Sequence, residues 1–181
     1  MEALRIKAID AESWDDFERL FQSRGGPKYC WCMAWRASAE EVKAGGGVVR
    51  RSMIKARVKN GIPIGIVGLL EGEPVAWCSI APRETFRGLG GPEDDPPDTA
   101  IWSITCFFIM RAYRGKGYSR QLLDAAIAYA RENGAAVVEA YPVDPESPSY
   151  RHMGFLGLFN SAGFKELGRV GKRRHVMRLA L

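Results

Sequence analysis

Two histidines and four cysteines, with no C-x-x-C pair among them, leave the 181-residue chain little from which to build a zinc finger or a dithiol redox motif. The one close sulfur pair, Cys30-Trp31-Cys32, has the wrong spacing, and only His152 and His175 stand elsewhere to complete a site, so no metal is expected. No stretch approaches the roughly 18–20 apolar residues of a membrane span. The opening "MEALRIKAID" has no apolar core of a signal peptide. The expectation is a cytoplasmic protein, without a membrane partner, in which Cys30, Cys32, Cys78 and Cys106 remain thiols. Neither GxxxxGKS/T nor GxGxxG occurs at a strand-to-helix junction, which argues against ATP and NAD. Internal repeats and low-complexity segments are also missing.

What is present suits one globular domain over residues 1–181: 46% hydrophobic and 26% charged residues in a 20.1 kDa chain. Twenty-six Lys and Arg against 21 Asp and Glu give a formal charge of +5, which permits an anionic ligand without naming one. The excess is dispersed. Its sharpest cluster, "RVGKRRH", fits an exposed hairpin turn better than a nucleic-acid patch, and most aromatics lie in apolar runs, so no nucleic-acid partner is expected.

Along the chain, "LRIKAID" alternates as a strand does, and "DAESWDDFERLFQSRGG" reads as a helix capped at Asp10. An aromatic and sulfur-rich stretch, "KYCWCMAWR", precedes a helix broken at Gly45 to Gly47. "IPIGIVGLLEGEPVAWCSIAPR" has the form of a hairpin turning near Glu71 to Glu73. The Gly-, Pro- and Asp-rich loop from Glu84 to Ala100 follows, long enough to serve as a lid or pocket wall. Ile101 to Met110 is the most apolar run and predicts a central strand buried on both faces. A helix from Gly117 to Asn133-Gly134, a strand at "AAVVEAYPV", a short helix ending in "FNSAG" and a closing hairpin complete the order.

Between the apolar strand and the helix lies "YRGKGYSRQLL", Tyr113 to Leu123. A loop that opens a helix offers unpaired N–H groups at the positive end of the helix dipole, and glycines let an anion approach the backbone closely. Arg114, Lys116 and Arg120 add positive charge. On local physics alone, a phosphate site and a simple helix start are equally good readings.

Arg114, Gly117 and Ser119 occupy the three defined positions of the pattern Q/R-x-x-G-x-G/A, with Ser119 where Gly or Ala is usual, and "AGF" at Ala162 to Phe164 closes the following helix. With the strand–loop–helix–strand–helix order, this half of the chain resembles the acetyl-CoA-binding half of the GNAT superfamily of N-acetyltransferases. The resemblance implies a single α/β (α+β) domain with a central mixed, mostly antiparallel sheet of about six or seven strands, flanked by helices and splayed at the acyl-CoA site. It implies acetyl-CoA as co-substrate, with the pyrophosphate held by Arg114, Gly115, Lys116, Gly117, Tyr118, Ser119 and Arg120, the pantetheine arm by Phe107, Phe108 and Ile109, and a further contact from Asn160. The implied activity is acetyl transfer to an amine, of a small molecule before a protein, by direct attack in a ternary complex. A catalytically weakened acyl-CoA-binding module is the alternative, and a homodimer is compatible.

An alkyl amine has a pKa around 10, so a proton must be removed before attack and one returned to the leaving thiolate. Many members of the resembled family use a tyrosine where this chain has Phe159. Glu139 and Tyr141, on one face of the same strand by the period of two, are the candidate base and acid; Tyr150 and His152 rank below them. Cys106 reads as a buried small hydrophobe before a nucleophile. Tyr29, Trp31 and Trp35 are the candidate acceptor wall, with core packing as the competing role, and Glu93, Asp94, Asp95 and Asp98 could attract an amine from the facing loop.

Overall fold

The computed structural model describes residues 2–181. The alternating opening forms β1 (Arg5–Ala8), and α1 (Trp14–Gln22) buries Trp14, Phe17, Leu20 and Phe21 along one stripe. This helix starts later than the sequence suggests. Asp10 Oδ1 accepts the amides of Glu12 at 2.9 Å and Ser13 at 2.8 Å, so Asp10 closes a turn and Ser13 becomes the N-cap residue. The glycine-broken helix is two helices, α2 (Ala39–Lys43), held by a capping box between Ser38 and Glu41, and α3 (Gly47–Lys59). β2 (Ile66–Leu70) and β3 (Glu73–Pro82) form the expected hairpin, turning through Glu71 and Gly72, both at positive φ.

The order continues with β4 (Ile101–Ile109), α4 (Tyr118–Glu132), β5 (Val137–Ala140), α5 (Leu156–Ser161), β6 (Lys165–Val170) and β7 (Arg174–Ala180). All seven strands make one sheet, β1-β2-β3-β4-β5-β7-β6, antiparallel except for β4 and β5, whose parallel pairing needs the crossover that α4 supplies. Leu122, Leu123, Ala126 and Ala130 of α4 pack on one face of the sheet, among Ile66, Ile80, Ile104 and Val138. On the other face Trp77 and Val67 meet α1, Ile54 and the segment around Trp31 to Ala37.

β4 and β5 pair only from Ile101↔Val137 to Ile104↔Ala140. Beyond that point β5 leaves, while β4 runs on against β3 alone. Burial on both faces therefore holds for Ile101 to Thr105, and Cys106 to Ile109 are only half-buried, which corrects the expectation of a fully covered strand. A β-bulge interrupts β3–β4: Ser79 pairs with Cys106 and Ile80 with Ile104, so Thr105 is the extra residue, its hydroxyl 2.8 Å from that of Ser79. After the bulge, Cys106 and Phe108 pack on the α1 side, Phe107 and Ile109 on the α4 side.

The loop from Glu84 to Ala100 is pinned to the sheet. Asp95 accepts Arg83 Nη2 at 3.0 Å and Arg178 Nη2 at 2.9 Å, so it is engaged with arginines and does not present itself to an amine. The Arg178 guanidinium, then Arg83, holds the Asp95 carboxyl below its ordinary range. A depressed carboxyl contributes stability above the unfolded pKa near 3.9 and loses it as pH falls through the folded value. Asp95→Asn should therefore lower the melting temperature at pH 7 and bring it closer to wild type as pH falls below about 4. It should also make residues 84–100 the first site of proteolytic nicking. A melting curve unchanged at pH 7, with the loop still protected, would separate Asp95 from any anchoring role.

Candidate active site

The splay between β4 and β5 opens into a cleft of about 560 Å³ lined by Phe107, Phe108, Ile109, Arg114 and Ser119 and, opposite, by Arg151, His152, Gly154 and Phe155. In the β3–β4 ladder Met110 N–H donates to Val75 O at 3.0 Å. Because an antiparallel ladder alternates, the main-chain groups of Ile109 and Phe107 point the other way, into the gap that β5 vacates. Ile109 O confirms that direction by accepting Arg114 Nε at 2.9 Å. At the end of the gap Gly117 takes the left-handed conformation, φ 74, as the N-cap of α4. The amides of Gly115, Lys116, Gly117, Tyr118 and Ser119 donate to no group of the described chain. Five main-chain donors converge on one helix end, beside Arg114 and Lys116. The ring of Tyr118 itself is buried against Tyr113, so that residue offers its amide alone. Arg120 is tied back to Asp124 at 2.8 Å and to Ser161 O at 3.2 Å. Asn160 lies exposed near the end of α5 and does not line the cleft.

A second cavity, about 260 Å³, lies on the α1 side of β4, between Tyr29, Cys30, Cys32, Ala34 and Trp35 on one wall and Thr105 to Phe108 on the other. It meets the first at Phe107, Phe108 and His152, which line both. Of the three aromatics assigned to an acceptor wall, Trp35 and the exposed Tyr29 line it. Trp31 does not: it is 3% exposed, stacked on Phe21 and packed in the core, because its left-handed backbone turns the ring inward. No carboxylate lines this cavity, and the charges flanking Trp35 are cations, with the Arg87 and Arg174 guanidinium carbons 5.6 Å and 4.7 Å from its ring centre. The loop after Glu84 does reach this wall, Arg87 N–H donating to Trp35 O at 2.8 Å.

His152, which the sequence ranks below the Glu139–Tyr141 pair, stands where the two cavities meet. Its neighbour across the cavity is Trp35, whose indole N–H donates to His152 Nε2 at 3.4 Å. That contact marks Nε2 as the unprotonated nitrogen, its lone pair accepting the indole proton. The residue as a whole is exposed, yet protein atoms crowd the ring enough that burial holds its pKa below the ordinary histidine value. Neutral at physiological pH, with its basic nitrogen at the junction of two cavities, it meets the requirements of a proton acceptor.

A cleft with main-chain donors along a splayed strand and an anion cradle at a helix N-terminus accounts for two chemically different parts of one extended ligand. Residues 7–155 match the model of the Acetyltransferase (GNAT) family. The chain belongs to the GNAT acetyltransferase family. Solved structures agree on the fold. A ribosomal-protein-alanine N-acetyltransferase from Brucella melitensis superposes at TM-score 0.56 with 19% identity, over 98% of this chain and 100% of that one. An N-acetyltransferase from Staphylococcus aureus gives 0.56 and 13%, over 99% of both chains. The Salmonella typhimurium protein YncA, solved with its cofactor acetyl-CoA, gives 0.55 and 20%, over 99% and 95%. No curated protein matches the chain in sequence.

Membership makes the reaction an acetyl transfer and acetyl-CoA its co-substrate, and the GNAT cleft described above fits that molecule: clustered amides and cations for a pyrophosphate, free strand groups for an amide-bearing arm. Among the described residues no group of three or more His, Cys, Asp or Glu could hold a metal ion, and no helix is long and apolar enough to cross a membrane. Phe159, standing where many GNAT proteins carry a tyrosine, is fully buried against Phe107 and Phe164 and has no proton to give.

Glu139 and Tyr141 do share a face, and the Tyr141 hydroxyl donates to Glu139 Oε1, but the structure sets the pair apart from both cavities of the GNAT site. Tyr141 lines a separate hollow under the loop from Arg83 to Glu93. Glu139 is fully buried, with Oε2 taken by its cross-strand neighbour Arg178 at 2.6 Å and Oε1 3.7 Å from Arg83 Nη1. Burial, then the Glu139 charge, pushes the Tyr141 phenol well above its usual range. Gly91 lies so close that an added Cβ would sit 2.5 Å from Glu139 Oε1. This arrangement assigns the pair to anchoring the loop. Glu139→Gln should cost about 3–5 kcal/mol of stability, the penalty of breaking a buried ion pair, with turnover of the folded fraction within twofold of wild type. A large loss of turnover at unchanged stability would return Glu139 to the catalytic role.

Proposed function

We propose that this GNAT chain acetylates the amine of a small molecule, bound in the 260 Å³ cavity, by direct attack in a ternary complex. The observation that carries this reading is the meeting of the two cavities at Phe107, Phe108 and His152. Acetyl-CoA, when bound, supplies a thioester carbonyl carbon as the electrophile. The main-chain N–H groups of Phe107 and Ile109, aimed into the splay, are placed to donate to an oxygen that gains negative charge. His152 Nε2 exchanges its long contact with Trp35 for a proton of the acceptor amine.

The missing carboxylate narrows the acceptor. With nothing in the wall to pair an ammonium, the amine enters neutral, and discharging it at pH 7 costs about 5 kcal/mol for a lysine-like amine but about 1 kcal/mol for an α-amine. An arylamine, or the α-amine of a small amide or short peptide, with an apolar body is therefore the acceptor class, and the 260 Å³ cavity, just below the usual range of small-ligand sites, keeps that body small. The thiols along its wall suit a reducing, cytoplasmic setting. The test is release of CoA thiol from acetyl-CoA across a panel of α-amines, arylamines, alkyl amines and lysine peptides. Rates highest with small α-amines or arylamines support the reading, and rates highest with lysine peptides overturn it.

A further inference from the structure

Arg36 is a buried cation without a carboxylate. The residue is 5% exposed; Nη1 donates to Cys32 O at 2.9 Å and to Cys32 Sγ at 3.4 Å, Nη2 donates to Ile64 O at 2.7 Å, and Nε has no partner. A guanidinium keeps its charge at every working pH, and the one ionisable group bonded to it is the Cys32 sulfur. The same sulfur accepts the Trp77 indole N–H at 3.3 Å, and Cys106, on the strand next to Trp77 and on the same face of the sheet, lines the same cavity. Cys32 is thereby held well below the ordinary thiol range, first by Cys106 and then by Arg36 and Trp77, against the effect of burial; Cys106 is pushed well above that range and keeps its proton. The backbone is bent to make this contact. Trp31 and Cys32 have φ 47 and φ 56, the left-handed region that costs roughly 1–2 kcal/mol per non-glycine residue.

Cys32, Cys106 and Cys30 all line the 260 Å³ cavity. We propose that Cys32 and Cys106 form an oxidisable pair in its wall, Cys32 being the sulfur that reacts with a hydroperoxide and Cys106 the thiol that closes the disulfide. In the first step the Cys32 thiolate attacks the O–O bond; an S–O bond forms, and the alkoxide or hydroxide that leaves takes a proton from water. In the second the Cys106 sulfur displaces the hydroxyl of the Cys32 sulfenic acid, which departs as water with the Cys106 proton. Two electrons pass from the thiol pair to the peroxide, and a low-molecular-weight thiol reverses the change. The bond would tie the segment holding Trp31 to Arg36 to β4 across the cavity wall, so acetyl transfer should stop while it lasts. Only this activity effect rests on the acceptor reading above; formation of the disulfide does not.

Exposure and chemistry disagree about which cysteine reacts, which makes the test decisive. Cys30 is the more open, yet burial beside Cys32 raises its pKa to about 11. The wild-type chain is treated with one equivalent of hydrogen peroxide at pH 7.5, blocked with iodoacetamide and digested without reductant. The expected product is a Cys32–Cys106 linked peptide, two hydrogens lighter than the sum and lost on reduction. In Cys106→Ala the sulfenic acid persists, and dimedone should label Cys32 at least tenfold over Cys30; Cys106→Ser replaces that variant if alanine does not fold. A linked peptide through Cys30, preferential labelling of Cys30, or unmodified Cys32 after loss of the peroxide would each overturn the proposal. A disulfide that forms without loss of acetyl transfer overturns the acceptor reading and leaves the thiol pair standing.

Discussion

Gly117→Val should abolish acetyl-CoA binding and leave the fold in place. Valine at φ 74 is a genuine backbone outlier, and the strain of roughly 1–2 kcal/mol is relieved by rotating the residue out of the left-handed region. That rotation swings the free amides from Gly115 to Ser119, the donors proposed for the pyrophosphate, out of convergence. The unliganded protein should melt only a few degrees lower, since a kilocalorie shifts a domain of this size by about 2–4 °C. At 100 times the wild-type Kd, acetyl-CoA should stabilise the wild type by about 2.7 kcal/mol. The variant should show no shift at that concentration, and calorimetry should place its affinity at least 100-fold lower. Normal binding by a folded Gly117→Val protein would move the pyrophosphate site elsewhere.

His152→Gln should reduce kcat by about 10²–10⁴-fold, the usual contribution of a positioned base, while acetyl-CoA affinity stays unchanged. Glutamine keeps an acceptor for the Trp35 N–H, so the cavity wall should survive the change. The pH dependence distinguishes a base from a wall residue. The working form of His152 is neutral and its pKa lies below the ordinary 6.5. With acceptor saturating, wild-type kcat should hold through neutrality and fall only on the acid side of 6.5, once the ring takes up a proton. That limb should be missing from the variant, whose kcat at saturating acceptor should be low and flat across the same range. An unchanged kcat, or an acid limb that persists in His152→Gln, would remove His152 from the chemistry.

The donor side was legible in the sequence because its parts are local. Gly115, Gly117, the cations around them and the apolar strand and amphipathic helix on either side lie within one continuous stretch, and each carries its own physical signature. The acceptor side is assembled from far apart. Trp35 and His152 are 117 residues from each other, and nothing in either neighbourhood announces the other. Glu139 and Tyr141 show the intermediate case. The period of two correctly put them on one face, and they do touch, but the loop around Gly91 that covers that face and closes it to a substrate has no periodic pattern to read. Trp31 shows the limit of composition: an aromatic ring suits a core and a binding wall equally, and a backbone turn at φ 47 decided between them.

The extra residue in β4 has a consequence for how such a site can change. Trp102 and Ile104 face α4 from even positions, yet after Thr105 it is the odd residues Phe107 and Ile109 that do so. One inserted amino acid has shifted the parity of the strand's outer half, and because large apolar residues stand on both faces beyond Thr105, no break in alternation betrays it. Donor and acceptor surfaces are thus two phases of a single pleat. Deleting Thr105 would exchange them in one step, presenting Phe107 to the acceptor and Cys106 and Phe108 to α4.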